Sequence, residues 1–201
     1  MNFKVKALLA IVAVSASSIA LAQNKNFTGF SAGVNANFAD SKVEYSGTGV
    51  GATAIKSNQG DQNASVQGQY GFGISDKFVV GLGLTYGLGE LKAGTVIGVS
   101  TKLKDSYSIN LEPGYVVTPS TLVYAKLAYA NAKGEASGAG TSASATLNGF
   151  GYGLGFRTML TGKLYLQGEY VQTSFDKKSA GSGVDVKGDQ GVASIGVGYN
   201  F

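Results

Sequence analysis

Apolar and small polar residues alternate along this chain with a period of two. The clearest stretch runs from Phe78 to Gly89. Phe78, Val80, Leu82, Leu84, Tyr86 and Leu88 share one face, and Val79, Gly81, Gly83, Thr85, Gly87 and Gly89 share the other. A period of two places successive side chains on opposite faces of a strand. The last ten residues repeat the pattern, with Ala193, Ile195, Val197, Tyr199 and Phe201 against Val192, Ser194, Gly196, Gly198 and Asn200. Six further segments do the same, at 30–38, 65–74, 107–117, 123–130, 149–157 and 164–170. A tilted strand needs about 9–11 residues to cross a bilayer, and the segments are near that length.

The connections alternate in length. Short turns are expected at Ser75-Asp76-Lys77, Thr118-Pro119-Ser120 and Thr161-Gly162-Lys163, and long polar connections at 39–63, 90–105, 131–147 and 174–190. This spacing predicts an all-β fold, an eight-stranded antiparallel up-and-down β-barrel with both termini on the short-turn side. An extra hairpin within 39–63 would raise the count to ten. The apolar face is the one expected outside, because the other face carries Gly, Ser, Asn and Gln with few charges. A soluble barrel or sandwich would show a charged exterior instead. Lipid offers the backbone no hydrogen bonds, so a membrane sheet must close on itself. Phe78, Tyr115, Tyr199 and Phe201 are expected at the periplasmic rim, and Phe38, Tyr86, Tyr107, Tyr129 and Phe150 at the outer one. Pro113 interrupts the fourth segment, where a local bulge is expected.

The N-terminus reads differently. Lys4 and Lys6 precede an apolar run from Ala7 to Val14, and Ala20-Leu21-Ala22 is a small-x-small cleavage site. Residues 1–22 are expected to be a cleaved signal peptide, leaving 23–201 as one barrel domain. Without Lys4 and Lys6, the 16 basic residues fall to 14 against 12 acidic ones, and the net charge falls from +4 to +2. No basic cluster points to nucleic acid. The chain has no Cys and no His, so neither a Ser/His/Asp nor a Cys/His arrangement can form. No catalytic, cofactor-binding or metal-binding residue is assigned. Asp176, Asp185 and Asp189 interleave with Lys177, Lys178 and Lys187, which suits a solvated hairpin. The Gly151-x-Gly153-x-Gly155 run has no P-loop Lys.

Four charges fall on the inward face at similar height, namely Glu112, Lys126, Arg157 and Glu169. Glu112 and Lys126 are equidistant from Pro119, and Arg157 and Glu169 from Lys163, so two cross-hairpin pairs are expected. Unpaired charges in a narrow lumen are costly. The cluster is expected either to fill the lumen structurally or to act as a gate whose pairs swap. The strand-like character of 95–104, 142–147 and 184–186 predicts barrel strands that extend beyond the outer membrane.

With its terminal Tyr199-Asn200-Phe201 and the hairpin Leu111-Glu-Pro-Gly-Tyr-Val-Val117 followed by Leu122-Val-Tyr-Ala-Lys-Leu127, the chain resembles the small outer-membrane barrels. These are the OmpA transmembrane domain, OmpX/Ail and the opacity-type "porin family" proteins. The resemblance implies location in the outer membrane and contact with its lipid and lipopolysaccharide. It also implies insertion by the barrel-assembly machinery, with Tyr199 and Phe201 in the C-terminal signal. OmpA continues into a peptidoglycan-binding domain; this chain stops at the barrel, so no cell-wall tether is implied. The expected function is a non-enzymatic, monomeric surface barrel for envelope integrity or adhesion, with an extracellular ligand met through the loops. The alternative is a low-conductance channel gated by lumen salt bridges. A lipid-modifying enzyme is a remote alternative, since such barrels use an active-site His.

Overall fold

The computed structural model describes residues 25–47, 55–96, 99–138, 141–181 and 184–201. The expected signal peptide lies outside the described residues. A 3-10 turn (Lys25–Phe27) precedes β1 (Gly29–Ser46), β2 (Ile55–Gly73), β3 (Phe78–Leu88), β4 (Leu91–Val96), β5 (Val99–Thr118), β6 (Thr121–Gly138), β7 (Thr141–Met159), β8 (Leu164–Phe175), β9 (Lys178–Gly181) and β10 (Val184–Asn200). All neighbours pair antiparallel, and β1 pairs with β10 to close the barrel. β3 and β4 both pair with β5, and β8 and β9 both pair with β10. These are two staves, each interrupted once, so the barrel has eight staves. The region 39–63 holds no extra hairpin among its described residues; they lengthen β1 and β2.

Two expectations change. Pro113 sits opposite Val80 in unbroken register with β3. On the β6 side, Leu111 faces Leu127 and Gly114 faces Tyr124, with no shift between them. The strand therefore absorbs the missing N–H without a bulge. The register with β6 shifts elsewhere, between Val116 and Thr118 near the lower turn and, higher, between Lys104 and Tyr107, where Asp105 adopts a φ of 48°. The strand extensions expected at 95–104, 142–147 and 184–186 fall in β4 and β5, β7 and β10, and the rest of the long connections, expected as polar loops, is also mostly strand.

The alternating pattern inverts at the outer aromatic rim. Below it, β1 turns Phe30, Val34 and Phe38 outward and Ser31, Asn35 and Asn37 inward. Above it, the exposed positions are Asp40 and Lys42, and the buried ones are Ala39 and Val43. On β6, Tyr129 faces out below while Lys133 faces out and Ala132 faces in above. Lipid requires an apolar exterior, whereas water requires the reverse. The Asp105 bulge serves this inversion. Without the extra residue, Leu103 would share the outward face of Tyr107 and Ile109; with it, Leu103 is buried. A strand finder that keeps one phase loses the strand at this boundary.

The upper barrel also divides. Pairing of β2 with β3 ends at Ala64 and Leu88, and pairing of β7 with β8 ends at Gly149 and Phe175. Among the described residues this leaves two four-stranded sheets, β9–β10–β1–β2 and β4–β5–β6–β7. Ala39, Val43 and Phe175 from one side pack with Leu91, Ala93, Leu103 and Ala132 from the other. Each large apolar side chain buried here contributes about 1.5–3 kcal/mol. Asp61 of β2 stitches one seam by accepting the Lys92 backbone N–H at 2.7 Å. Asp176 donates its backbone N–H to the Asn148 carbonyl at 2.7 Å across the other. The result is a sandwich-like cap over the lumen.

The opposite mouth is closed too. Phe27 packs with Val79, Val116, Leu122 and Tyr124, all buried. The turn that carries it is held by Asn26, whose side chain donates to the Pro119 carbonyl at 2.9 Å, and by Asn200, which donates to the Asn26 carbonyl.

Candidate functional site in the barrel lumen

β5, β6, β7 and β8 each contribute one charged side chain to the lumen, because the lumen-facing positions of successive staves meet at one height. Lys126 lies 3.2 Å from Glu112 and 2.8 Å from Glu169. Its Nζ donates to both Glu169 oxygens, at 2.9 and 2.8 Å. The Tyr124 hydroxyl donates to Glu169 at 3.0 Å. All three charged side chains are nearly fully buried, at 3%, 4% and 7% exposure for Lys126, Glu112 and Glu169.

Arg157 is placed differently from the expected pair with Glu169. The β7–β8 register sets Arg157 opposite Gln167 and Glu169 opposite Gly155, so the hairpin centres on Gly162 and not on Lys163. Arg157 donates to Gln69 at 3.0 Å and to Gln167 at 3.3 Å. Its guanidinium lies 4.7 Å from the Tyr165 ring centre and 5.6 Å from that of Tyr124. Its approach to Glu112 is 3.6 Å, beyond direct hydrogen-bond reach. Two carboxylates thus share one lysine, and the arginine is held by amides and aromatic rings.

The amide partners were not singled out by the sequence reading. Gln67 donates to Gln167 at 2.8 Å, and Gln167 donates onward to Asn35 at 2.7 Å. A signal existed, because Gln67, Gln69 and Gln167 are the longest uncharged polar residues on inward positions at the charged level. Tyr165 is fully buried. It lies over Gly198, its direct neighbour on β10, where a Cβ would overlap its ring, and Tyr124 similarly lies over Gly155, its neighbour on β7. Inward glycine therefore makes room for large residues of the adjacent stave.

Above this layer lies a cavity of about 130 Å³. Asn37, Asn110, Thr85 and Thr173 line its wall, Lys126 and Glu169 its floor, and Leu91, Leu103 and Phe175 its roof. The space suits several water molecules bound to polar walls. Apolar layers lie at both ends, the cap core above and the Phe27 cluster below. Among the described residues, no group of three or more His, Cys, Asp or Glu is gathered to hold a metal ion.

The lipid-facing surface carries large apolar residues over every stave. Phe78 stacks edge-on against Tyr115 at 5.1 Å, and Phe201 lies 5.4 Å from Phe30 and 5.3 Å from Tyr199. Residues 7–201 match the family described as the outer membrane protein beta-barrel domain. The chain belongs to this family. It is an outer-membrane protein whose staves sit in lipid.

Solved structures of other members of this architecture share the fold. Ail, the attachment invasion locus protein of Yersinia pestis, is 17% identical with a TM-score of 0.51, over 87% of this chain and 100% of that one. Neisserial surface protein A is 18% identical with a TM-score of 0.55, over 87% and 98% of the two chains. The outer membrane protease OmpT from Escherichia coli is 8% identical with a TM-score of 0.50, over 86% and 96%. At these identities the likeness shows the fold alone. No curated protein sequence gives a significant match.

Proposed function

We propose that this outer-membrane barrel is a non-enzymatic surface protein whose working part is the extracellular cap. The observation that carries this reading is the inversion of amphipathic phase at the outer rim. The chain builds a water-exposed, apolar-cored sheet pair on top of a membrane anchor, at the cost of a bulge and two interrupted staves. Both lumen ends are filled with apolar side chains, which favours a packed core over a conduit. The outward strand edges at the two seams offer backbone groups to an extended segment of another protein. The likeness to Ail, an attachment protein by name, supports a contact role. The likeness to a protease carries little weight, because this chain has no His or Cys. The proposal includes export by a signal peptide over 1–22, membrane insertion through the C-terminal strand with Tyr199 and Phe201, and a monomeric state.

Trimming the β4–β5 arm between Lys92 and Lys102 tests the reading. Loss of cell or matrix binding, with the folded species intact on a heat-modifiable gel, supports a contact role for this arm. Unchanged binding removes the arm from it.

One observation favours a second reading, a gated small-solute channel. Lys126 is shared between Glu112 and Glu169, and Arg157 lies 3.6 Å from Glu112, so a shift of Lys126 toward Glu169 would leave Glu112 with Arg157 as its counter-ion. Single-channel recording of the refolded barrel separates the two readings. Discrete openings altered by Glu112→Gln or Lys126→Gln would establish the channel, and a folded but silent barrel would retire it.

A further inference from the structure

A groove of about 720 Å³ crosses the lipid-facing wall of the barrel from β5 to β8. Its floor is made of small residues. Pro113 on β5 and Ala125 on β6 sit side by side, because Leu111 pairs with Leu127 above them and Tyr115 with Val123 below. Gly168 of β8 continues the floor beyond β7. Large side chains stand around it. Phe78 and Tyr115 close the lower end, Phe156 lies along one side with its ring over Gly168, and Leu154 and Tyr170 lie along the other. The relief is real in the exposures, since Ala125 and Gly168 are half-buried whereas Leu154 is 71% exposed.

The dimensions of this groove indicate what fills it. It climbs as it crosses the staves. Tyr115 and Ala125 lie four and six residues from Pro119, and Phe156 and Tyr170 lie six and eight from Gly162. The lower end is therefore at the short-turn rim, and the upper end is deeper in the hydrocarbon. Three stave spacings make it about 14 Å long, and one acyl chain fills half of a hydrocarbon core of about 30 Å. Leu154 and Phe156 are alternate residues of one strand, so their Cα atoms are about 7 Å apart. A helix with its side chains is about 10–12 Å across and does not pass between them. A closed barrel offers no edge to a strand. A single acyl chain fits.

The lower end carries one charge of each sign. Asp76 and Lys77 form the β2–β3 turn beside Phe78, both exposed and, among the described residues, without an ion pair. Lys77 is fixed next to the groove, because its carbonyl accepts the Val116 N–H at 2.7 Å. The neighbouring turn, Thr118-Pro119-Ser120, is uncharged. Lys163 of the next turn lies over the Tyr199 ring, 5.5 Å from its centre. A purely anionic headgroup would meet Asp76 as well as Lys77. We infer that the groove holds one acyl chain of a zwitterionic glycerophospholipid with a primary ammonium, whose phosphate meets Lys77 and whose ammonium meets Asp76. The site lies on the lipid-facing wall, at the end of the barrel away from the cap, and does not depend on what the cap contacts.

The test uses the full chain refolded in phosphatidylcholine nanodiscs doped equally with phosphatidylethanolamine and phosphatidylglycerol, with retained lipid counted by native mass spectrometry. The wild type is expected to retain one phosphatidylethanolamine ahead of the other two lipids. Ala125→Phe fills the floor and should weaken that retention by about tenfold. Ala36→Phe, at an exposed position on the opposite wall, should leave it unchanged. Lys77→Gln should weaken it by about fivefold. Asp76→Asn should turn the preference toward phosphatidylglycerol, a reversal that mere loosening of the turn would not produce. Equal retention of the three lipids, retention indifferent to Ala125→Phe, or an unchanged preference in Asp76→Asn overturns the inference. If Ala125→Phe fails to fold on a heat-modifiable gel, the wild-type lipid comparison and Asp76→Asn still decide it.

Discussion

Lys126 is closer to Glu169, 2.8 Å away on β8, than to Glu112, its own hairpin neighbour, at 3.2 Å. Removing the lysine therefore takes the nearest cation from two buried carboxylates on different staves, leaving Glu112 with Arg157 at 3.6 Å and Glu169 with the Tyr124 hydroxyl. Lys126→Ala should cost about 3–5 kcal/mol, the range for breaking a buried ion pair from one side. Urea unfolding of the refolded barrel measures it. Glu169→Gln should cost more than Glu112→Gln, because Glu169 also accepts the Tyr124 hydroxyl. An unchanged midpoint for Lys126→Ala would contradict the observed pairing.

Tyr165 needs the missing side chain at Gly198. A methyl there would overlap the ring and hydroxyl, and the ring has no free direction because Arg157 lies against it. Gly198→Ala should lower stability by about 1–3 kcal/mol, the usual range for overpacking. The same measurement on Gly162→Ala, where a Cβ meets nothing within 4 Å, should show almost no change.

These residues also show what could be read in advance. The lipid-facing staves were legible because one physical demand, apolar outside and small inside, repeats without interruption. The height and mixed sign of Glu112, Lys126, Arg157 and Glu169 followed from strand parity. Partner choice did not, because a hairpin whose turn centres on Gly162 rather than Lys163 moves Arg157 from Glu169 to Gln167. Strand extensions at 95–104, 142–147 and 184–186 were legible too, but the apolar core of the cap was hidden, for a different reason. Ala39, Val43 and Asp40 obey the same period two as Phe30 and Asn35, but with the faces exchanged. Alternation alone does not say which solvent a strand meets. Leu103 was hidden further by the Asp105 bulge, which shifts the phase by one residue within a single strand.

Loss of the cap core should separate from loss of the barrel. Leu103→Ala removes a buried side chain of the cap core, and should cost that unit about 2–5 kcal/mol. Hydrogen exchange by mass spectrometry is expected to rise over β4, upper β5 and upper β6. The staves below Tyr107 and Tyr129 should keep their protection. A uniform rise across all staves would mean that cap and barrel unfold as one unit.

The lysine-rich arm should respond to acid with a definite sign. Lys104 beside Glu90 and Glu135 holds both carboxyls below their ordinary value, with Lys102 adding to the effect on Glu90. The same two carboxylates raise Lys104 above the ordinary lysine range. A depressed carboxyl stabilises the fold fully above its unfolded value of about 4.3, and that stabilisation fades as the pH falls through the lower folded value. A raised lysine contributes fully below about 10.4 and loses its effect as the pH climbs through the raised value. The network should therefore be intact near neutral pH and weaken below about pH 4, leaving four lysines crowded on three strands. Protection factors in β4–β6 should drop between pH 6 and pH 3. The same arm in Lys104→Gln should lose most of that pH dependence, because the cation that depresses both carboxyls is gone. An acid response of equal size in the variant would place the sensitive group elsewhere. Asp61 is then the residue to test, since the Lys92 and Gln62 backbone N–H groups hold its carboxyl low at the adjacent seam.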